Sequence, residues 1–334
     1  MTVKWLISGG CGFIGLSLIQ RLIEKGGNAI RVLDNLSVGT KTDLSGVCSF
    51  SECNISVESL PIPNRDRVQL VVCDIKDSIA SLKCAEDMDI IVHLAANTGV
   101  ESSVQNPRAD METNVLGLFN MLEAARLNRT SKFIFASSGA PVGEVEPPIH
   151  EEVVPHPVSP YGASKLAGEG YCSAYFRTFG LNTIVLRFGN VYGPGSLRKG
   201  SIVAKFVKQV LRGEACEIYG DGNQTRDFIY ISDLVEAIIK SSACDCRGEI
   251  FQIASSREHT VNEVAMALRK ILAEHGHSMT INYGDRRVGD VLRNYSDTSK
   301  ACAILGWQAD YNLQKGLAET VVWFLDQKRK GKFK

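Results

Sequence analysis

The sequence lacks an excess of charge of either sign, an apolar run long enough to cross a bilayer, and any internal repeat. Its 334 residues include 37 basic and 37 acidic side chains, so the net charge gives no general attraction for nucleic acid or an anionic membrane. A transmembrane helix needs about 20 consecutive apolar residues, and no such run is present. We therefore expect a soluble, cytoplasmic protein that holds any anionic ligand with locally placed groups and binds neither nucleic acid nor membrane.

The cysteines also lack a spacing typical of metal ligands. All ten are scattered, and several fall in apolar stretches, as buried reduced thiols would. Cys244 and Cys246 are close together, but their separation matches no metal-binding pattern. We expect reduced thiols and no metal site.

What the sequence does contain is a glycine-rich turn between a strand and a helix near its start. The apolar run from Val3 to Ser8 predicts the strand, and apolar residues at helical spacing follow the turn. Gly9 suits the tight turn, Gly12 lets the backbone approach a pyrophosphate, and Gly15 lets helix and strand pack closely. The N-terminus of the helix would then face an anion. An ordinary glycine-rich turn is the alternative interpretation.

An acidic residue follows at the distance expected for a dinucleotide site. Asp34 ends a second apolar run, about 19 residues past Gly15, where its carboxylate would accept hydrogen bonds from an adenosine ribose. The segment from Asp34 to Gly39, including Ser37, would line an adenosine pocket. No Arg or Lys adjoins Asp34, and Lys41 is the only nearby cation to offset repulsion of a 2′-phosphate. The sequence therefore favours NAD over NADP.

Strands and helices alternate through the first half of the chain. Apolar runs over 68–72, 90–94 and 132–136 predict strands, and helical spacing predicts a helix from Pro107 to Asn128. This alternation is typical of a Rossmann-type α/β fold, a doubly wound parallel sheet with ligands at the carboxyl ends of its strands. Residues 45–66 show no clear periodicity and predict a surface excursion, and residues 141–160 predict an irregular loop.

Two strand ends carry candidates for contact with a ligand. Leu94, Ala95 and Ala96 follow one strand, where small residues would let a cofactor lie against the backbone. Ser138 falls at the end of the next strand. His93 has apolar neighbours, so we interpret it as a packed histidine rather than a base.

A second group of reactive residues opens a helix that runs to about residue 178. Tyr161 and Lys165 are four residues apart and so lie on one helical face. An ammonium group near the phenol would favour the phenolate, and a tyrosine so tuned exchanges a proton near neutral pH. Ser138 could share the same substrate hydroxyl. The alternative, an amphipathic helix with an incidental Tyr and Lys, is disfavoured by the dinucleotide turn upstream.

The second half predicts a smaller α/β lobe for the substrate. We expect residues 1–185 to form the dinucleotide-binding domain with the Tyr/Lys helix, and residues 186–334 to form mostly the lobe, with some segments returning to the first domain. Periodicity predicts helices over 201–211, 231–240, 261–274 and 313–326 and a short strand over 217–219.

Together these motifs resemble those of the extended short-chain dehydrogenase/reductases, in the nucleotide-sugar epimerase and dehydratase group. The resemblance covers nearly the whole chain, through SGGCGFIG, DNLSVG, CDI, HLAA, NVLG, YGASK, RFGNVYGPG, DGNQTRDFIYISD and RRVGD. It implies NAD as the cofactor and a nucleotide-diphosphate sugar as the substrate, with a UDP-sugar preferred. It also suggests a homodimer, paired through a four-helix interface of the helices over 107–128 and 161–178.

The resemblance implies roles for individual residues. Tyr161 would be the base, Ser138 its companion at the sugar 4-hydroxyl, and Lys165 would also bind the nicotinamide ribose. The residues implied to hold NAD are Gly9, Gly12, Phe13, Ile14, Gly15, Asp34, Asn35, Asp74 and Ile75. Those implied to hold the diphosphate and nucleoside are Asn190, Arg226, Arg287 and Asp290. Guanidinium groups suit a diphosphate, which a protein of zero net charge must bind locally.

The chain departs from the family pattern where further acids are expected. Members that eliminate water usually carry Asp-Glu directly after the catalytic hydroxyl residue, and decarboxylating members carry a nearby Glu; here Gly139 and Ala140 follow Ser138. Removal of a C5 proton needs a base close by, although Glu144 and Glu146 could reach in.

We therefore expect NAD-dependent 4-epimerisation of a UDP-sugar through a 4-keto intermediate. UDP-glucose, a UDP-N-acetylhexosamine and UDP-glucuronate all stay open as substrates. A 4,6-dehydratase or a UDP-glucuronate decarboxylase is the alternative. A plain NAD-dependent alcohol or steroid dehydrogenase would leave Asn190, Arg226 and Arg287 without a purpose. A non-enzymatic NAD-binding regulator would need no pair of Tyr161 and Lys165.

Overall fold

A computed structural model describes residues 2–56, 59–65, 67–286 and 291–332, and its largest element is an eight-stranded sheet. The strands of the chain are β1 (Val3–Ser8), β2 (Asn28–Asp34), β3 (Phe50–Glu52), β4 (Val68–Val72), β5 (Ile90–His93), β6 (Lys132–Ser138), β7 (Thr183–Phe188), β8 (Asn190–Tyr192), β9 (Cys216–Tyr219), β10 (Thr225–Arg226), β11 (Phe228–Tyr230), β12 (Glu249–Ile253), β13 (His259–Thr260) and β14 (Ile281–Gly284). The sheet has the order β12-β7-β6-β5-β1-β2-β4-β3.

Helices connect most of the neighbouring strands. They are α1 (Phe13–Lys25), α2 (Lys41–Ser45), α3 (Ser78–Cys84), α4 (Val100–Gln105), α5 (Pro107–Met111), α6 (Gly117–Leu127), α7 (Pro160–Phe179), α8 (Ile202–Arg212), α9 (Ile231–Ala243), α10 (Val261–Glu274), α11 (Ser299–Leu305) and α12 (Leu313–Arg329). A π-helical turn, Glu112–Leu116, joins α5 to α6, and Ser196–Arg198 forms a 3₁₀ turn. Among the described helices, none has both the length and the apolar character needed to cross a membrane.

The strand order confirms the doubly wound parallel sheet. Six strands pair in parallel in the order β6-β5-β1-β2-β4-β3. From β1 the chain first adds β2 and its neighbours on one side, and then β5 and β6 on the other. The order therefore reverses between β1 and β5. In open sheets of this kind the carboxyl ends of the strands at such a reversal form the ligand-binding crevice, so the loops after Ser8 and His93 are the first places to search.

The chain divides into two compact units, and each takes several segments. The first contains residues 1–143, 154–187 and 235–251. Its core is built from apolar side chains of the sheet and of α3, α6 and α7, with Leu6, Ile91, Phe133 and Phe135 almost fully buried. Burial of such residues is the main favourable term in folding.

The second unit contains residues 144–153, 188–234 and 252–334. Three short ladders contribute to it: β8 with β11 and β9 with β14 run parallel, and β10 with β13 runs antiparallel. Its α10 begins with a capping box, in which Thr260 and Glu263 satisfy each other's backbone N–H groups. Trp307 is buried and donates its indole N–H to the Asp233 carbonyl at 2.9 Å.

The region over 45–66 is more ordered than the sequence indicated. It contains the edge strand β3, and the loop after it is tied to the sheet by the buried Arg31 of β2. The Arg31 guanidinium donates to the Pro61 carbonyl at 2.8 Å, to the Cys84 carbonyl at 2.8 Å and to Gln69 Oε1 at 3.0 Å. Burial lowers the pKa of Arg31, and these acceptors compensate for the water that it has lost.

Two other features differ from what the sequence predicted. The helix predicted from Pro107 to Asn128 is present as α5 and α6, but the π-helical turn that joins them was not predicted. Cys244 and Cys246 are joined by a disulfide, so reduced thiols do not describe this pair. Their Cα atoms lie 5.3 Å apart in the turn after α9, within the usual range for a bridge.

Candidate functional site

The glycine turn packs so closely that side chains would not fit at two of its positions. Gly9 has a φ of +74°, and a Cβ there would lie 2.7 Å from the Ala95 nitrogen. A Cβ on Gly15 would lie 2.6 Å from the Gly9 carbonyl oxygen. Gly12 occupies the N-cap of α1, so no side chain covers the first backbone N–H groups of that helix. The turn therefore offers an open helix N-terminus that suits a phosphate group.

Asp34 holds the glycine turn in place. One carboxylate oxygen accepts from the Cys11 backbone N–H at 2.9 Å, and the other accepts from the Leu36 N–H at 2.8 Å. Burial raises the pKa of Asp34, while these two hydrogen bonds oppose the rise. Each oxygen keeps a free lone pair, so the carboxylate can still accept from a ribose hydroxyl.

The rest of the predicted adenosine segment is mostly exposed. Asn35 donates to Asp74 at 3.1 Å, which ties the ends of β2 and β4 together, and Ser37 is exposed beside it. Gly39 is instead buried against Cys11, where a Cβ would collide with the backbone. Lys41 forms an ion pair with Glu52 at 2.6 Å, so its charge is already partly balanced.

The other predicted cofactor residues differ in how deeply they are buried. Phe13, Ile14, Leu94, Ala95 and Ala96 are half-buried. Ile75 is 4% exposed, and its carbonyl accepts from Asn120 at 2.9 Å, so it acts mainly as a packing residue between β4 and α6.

His93 is packed, as the sequence indicated. It is 1% exposed, its Nδ1 lies 2.8 Å from the Ser8 hydroxyl, and its ring stacks on Phe133 and Phe135. Burial, together with the charge of Lys165, lowers the pKa of His93 to about 3. The imidazole is therefore neutral at ordinary pH and joins the ends of β1 and β5.

Tyr161 lies in the first turn of α7 and meets the end of β6. The helix starts where it does because Ser159 caps it, accepting from the Gly162 N–H at 3.1 Å, and because Pro160 suits the first position. The Ser138 hydroxyl is hydrogen-bonded to the Tyr161 phenol, which favours the phenolate. Burial has the larger effect and raises the pKa of Tyr161 to about 12.

Lys165 is 4% exposed, and its ammonium donates to the Ala136 carbonyl at 2.8 Å and lies over the Phe135 ring. Burial lowers its pKa to about 8, against the opposing charges of Asp110 and Glu169. The expectation that Lys165 brings the Tyr161 pKa near neutral is not met in this structure. The ammonium donates to the strand, and burial and the charge of Asp110 raise the Tyr161 pKa.

A polar network beneath the Tyr161 helix was not singled out from the sequence. Asn114 sits in the π-helical turn, is 2% exposed, and donates to Asp110 Oδ1 at 3.0 Å and to the Ser164 hydroxyl at 3.1 Å. Ser164 in turn donates to the Tyr161 carbonyl at 3.0 Å. Asn114 also accepts from the Asn97 N–H at 2.8 Å, which fixes the loop after β5. A polar residue inside an otherwise apolar helical pattern was the available signal.

A buried ion pair lies behind the serine strand. Arg187 donates to both carboxylate oxygens of Glu169, at 2.9 and 2.7 Å, and the Ser137 hydroxyl donates to the same carboxylate at 2.6 Å. The side chains of this ion pair are 2% and 3% exposed. The pair fixes the end of β6 against α7, which is the junction where Ser138 and Tyr161 meet.

Of the four residues predicted to clamp the diphosphate, the structure describes Asn190 and Arg226. Asn190 lies in β8, and Arg226 donates to the Val291 carbonyl at 2.7 Å; both belong to the second unit. Arg287 and Asp290 fall outside the described residues. Glu146, one of the two acids that could have replaced the missing pair after Ser138, forms an ion pair with Arg293 at 2.7 Å instead, and Glu144 is exposed.

The first unit has the groups that a dinucleotide needs. The close-packed glycine turn, the open N-terminus of α1 and the Asp34 carboxylate fit a pyrophosphate and an adenosine ribose, and Tyr161 and Lys165 lie on the same unit. Within the described ranges, no group of three or more His, Cys, Asp or Glu side chains is arranged to hold a metal ion.

Comparison with known proteins gives a consistent result. A model of the NAD dependent epimerase/dehydratase family matches residues 5–254. A UDP-glucose 4-epimerase of Mycolicibacterium smegmatis is 32% identical over 327 residues, covering 96% of this chain and 98% of that protein. The crystal structure of a UDP-glucose 4-epimerase of Thermotoga maritima with UDP-glucose is 34% identical, with a TM-score of 0.86 over 98% of this chain and 100% of that one. A Bacillus cereus UDP-glucuronic acid 4-epimerase in complex with UDP-glucuronic acid and NAD is 28% identical, with a TM-score of 0.85 over 97% and 99%.

Proposed function

Because the chain belongs to the NAD dependent epimerase/dehydratase family, we propose that it interconverts a UDP-sugar and its C4 epimer through a 4-keto intermediate. When bound, NAD supplies the hydride acceptor and then the donor, and ends the cycle unchanged. The glycine turn and Asp34 would hold its pyrophosphate and adenosine ribose, and Lys165 its nicotinamide ribose.

The chain's own residues would move one proton in each direction. Tyr161 takes the proton of the sugar 4-hydroxyl while the C4 hydride leaves, and it returns a proton to the 4-keto oxygen when hydride comes back to the opposite face. The Ser138 hydroxyl hydrogen-bonds to both the phenol and the sugar oxygen. Its bond to Tyr161 favours the phenolate, against the effects of burial and of the Asp110 charge on the Tyr161 pKa.

The observation that carries this proposal is the absence of an acid directly after the Ser138–Tyr161 contact. Gly139 and Ala140 follow Ser138, and the Glu146 carboxylate is engaged by Arg293. Elimination across C5 and C6 needs a second base near the sugar, whereas epimerisation at C4 needs only Tyr161, its companions and the cofactor. The described part of the site therefore favours epimerisation over 4,6-dehydration or decarboxylation.

We assign substrate anchoring to the second part of the chain. Residues 186–334 would hold the nucleotide diphosphate through Asn190, Arg226, Arg287 and Asp290, while residues 1–185 hold NAD. Anchoring by the nucleotide would leave the sugar free to turn over between the two hydride transfers. The relatives named above act on UDP-glucose and UDP-glucuronic acid, and both are proposed substrates together with UDP-N-acetylglucosamine.

The reaction is tested by incubating the purified protein with NAD and each of these UDP-sugars in turn, following the sugar by proton NMR. Formation of the 4-epimer without net NADH supports the proposal and identifies the sugar. A 4-keto-6-deoxy sugar, or a UDP-pentose with release of carbon dioxide, would show instead that another acid reaches C5.

We also propose that the protein is a homodimer paired through α5, α6 and α7. Apolar side chains on the helices at 107–127 and 160–179 are exposed: Met111, Leu116, Phe119, Tyr171 and Phe179. The ring centroids of Phe119 and Tyr171 lie 5.9 Å apart in an edge-to-face arrangement, so these two side chains, one from α6 and one from α7, form a continuous apolar surface. Phe119→Glu should convert the dimer to a monomer in analytical ultracentrifugation, and Val322→Glu, at an exposed position of α12, is the control.

A further inference from the structure

Two buried carboxylates, Glu169 and Asp110, raise the pKa of Lys165 by their charges, and they differ in how those charges are balanced. Glu169 lies four residues after Lys165 and accepts two hydrogen bonds from Arg187, so its negative charge is paired with a guanidinium. Asp110 is 2% exposed on α5, and no cation among the described residues lies within ion-pair distance of it. Isolated buried charges are costly, so a carboxylate kept in this position calls for an explanation.

The two oxygens of Asp110 are used differently. Oδ1 accepts from Asn114 Nδ2 at 3.0 Å, whereas Oδ2 is buried and has no hydrogen-bond partner in the part of the chain that the structure describes. A neutral amide at position 110 could accept the same bond from Asn114. The hydrogen bond alone therefore does not require an acid.

Asp110 is also linked to the backbone of Tyr161. Asn114 connects it to the Ser164 hydroxyl, and Ser164 donates to the Tyr161 carbonyl at 3.0 Å. The bonds from Asn114 to Asp110 and Ser164 are buried, and the bond from Ser164 to Tyr161 is partly buried. Asn114 lies in the π-helical turn, a distortion that often occurs at functional sites. The network thus reaches the first turn of α7.

We propose that Asp110 is a positioning residue of the epimerase site, which fixes the Tyr161 turn through Asn114 and Ser164 and supplies a buried negative charge to the surroundings of Lys165. The inference rests on the proposed function for its kinetic part only. The charge of Asp110 is expected to act on the titration of Lys165, and its hydrogen-bond chain is expected to act on the position of Tyr161.

The other groups around Lys165 support this division. The charges of Asp110 on α5 and of Cys172 and Glu169 on α7 raise the Lys165 pKa, and the Lys165 charge lowers the pKa of His93 on β5. The Asp110 charge also raises the pKa of Tyr161. Among the charged neighbours that oppose the effect of burial on the Lys165 pKa, Asp110 has the largest effect. His93 stays neutral, and Arg187 compensates Glu169, which leaves Asp110 as the least balanced charge in this group.

The charge is tested with Asp110→Asn, which keeps an acceptor for Asn114. In holoprotein labelled with ¹³C at lysine Cε, the Lys165 resonance, assigned with Lys165→Arg, is titrated between pH 6 and pH 10. Removing a nearby negative charge should move its midpoint down by about half to one pH unit. Asp233→Asn is the control, because Asp233 is a buried carboxylate of the second unit that accepts from two backbone N–H groups. An unchanged midpoint in Asp110→Asn would overturn the counter-charge role.

The kinetic readout uses the same variants with the sugar that the wild type epimerises. In Asp110→Asn the basic limb of the kcat profile should move down by about the same half to one pH unit, with KM unchanged. Asp110→Glu should restore the wild-type limb. If kcat falls equally at every pH, Asp110 has only a structural role.

The hydrogen-bond chain is tested with Ser164→Ala, which keeps the Asp110 charge. We expect kcat to fall about tenfold without a shift of the Lys165 midpoint, because the Tyr161 turn loses one buried hydrogen bond. A wild type that turns over no UDP-sugar, combined with a shifted midpoint in Asp110→Asn, would reject the proposed function and leave the counter-charge role standing. An unchanged kcat in Ser164→Ala would reject the positioning chain.

Discussion

The proposed dinucleotide end and the proposed proton-transfer end of the site are built in different ways. The first uses one nearly continuous stretch of chain, in which Asp34 reaches back to the Cys11 N–H and the glycines pack on each other's backbone. The second collects Ser138, Tyr161, Lys165 and the Asp110 network from β6, α7 and α5, and holds them with buried charges. Backbone geometry therefore shapes the dinucleotide end, and the balance of buried charges shapes the proton-transfer end.

Tyr161→Phe should have the largest effect, because it removes the proton-transferring hydroxyl and leaves the dinucleotide end intact. Turnover should fall by about 10²- to 10⁴-fold. Bound NAD, measured by chromatography after denaturation, should be unchanged. Loss of NAD together with activity would mean that the two ends are not separable.

Gly15→Ala is the reverse test, since it breaks the dinucleotide end. The new Cβ would lie 2.6 Å from backbone atoms of Gly9 and Gly10, which cannot move as a side chain can. We expect a loss of about 1–3 kcal/mol in unfolding free energy and depletion of bound NAD. Gly170→Ala in α7 is the matched control, because nothing lies within 4 Å of its added methyl group. Retention of NAD in Gly15→Ala would contradict the close packing described for the turn.

Asp34→Asn should weaken both NAD binding and the turn within the dinucleotide end. The amide loses the charge-assisted bond to a ribose, so NAD affinity should fall about tenfold. The amide oxygen can accept from only one of the two backbone N–H groups that the carboxylate holds, and its NH2 group would meet the other. The thermal midpoint of the NAD-free protein should therefore fall, as calorimetry can show; an unchanged midpoint would indicate that Asp34 does not hold the turn.

His93 gives the smallest effect and lies between the two ends. Its folded pKa of about 3 is below the ordinary value of 6.5, so the unfolded chain takes up a proton first and stability is lost as the pH falls below about 6.5. Between pH 7 and pH 5.5 this loss amounts to about 1 kcal/mol. Urea unfolding of His93→Gln should show a correspondingly shallower pH dependence. Equal slopes for variant and wild type would mean that His93 is protonated in the fold.

The same contrast explains what could be predicted from the sequence. The glycine turn, the position of Asp34 and the alternation of strands and helices are local patterns, and the helix 261–274 was predicted with its observed bounds. Asp110 and Asn114 could not be assigned, because their importance comes from a hydrogen-bond chain to α7, in which Asn114 contacts Ser164, 50 residues away. The tyrosine pKa was misjudged because spacing on a helix does not reveal how deeply a side chain is buried.

Arg31 has a consequence for how this protein can diverge. Three of its four hydrogen-bond acceptors are main-chain carbonyls, of Pro61, Cys84 and Glu86. A carbonyl is present whatever the side chain, so the anchor constrains the path of the loop after β3 and leaves its amino acids free to change. The loop after β3 can therefore accumulate substitutions without losing its attachment to the core.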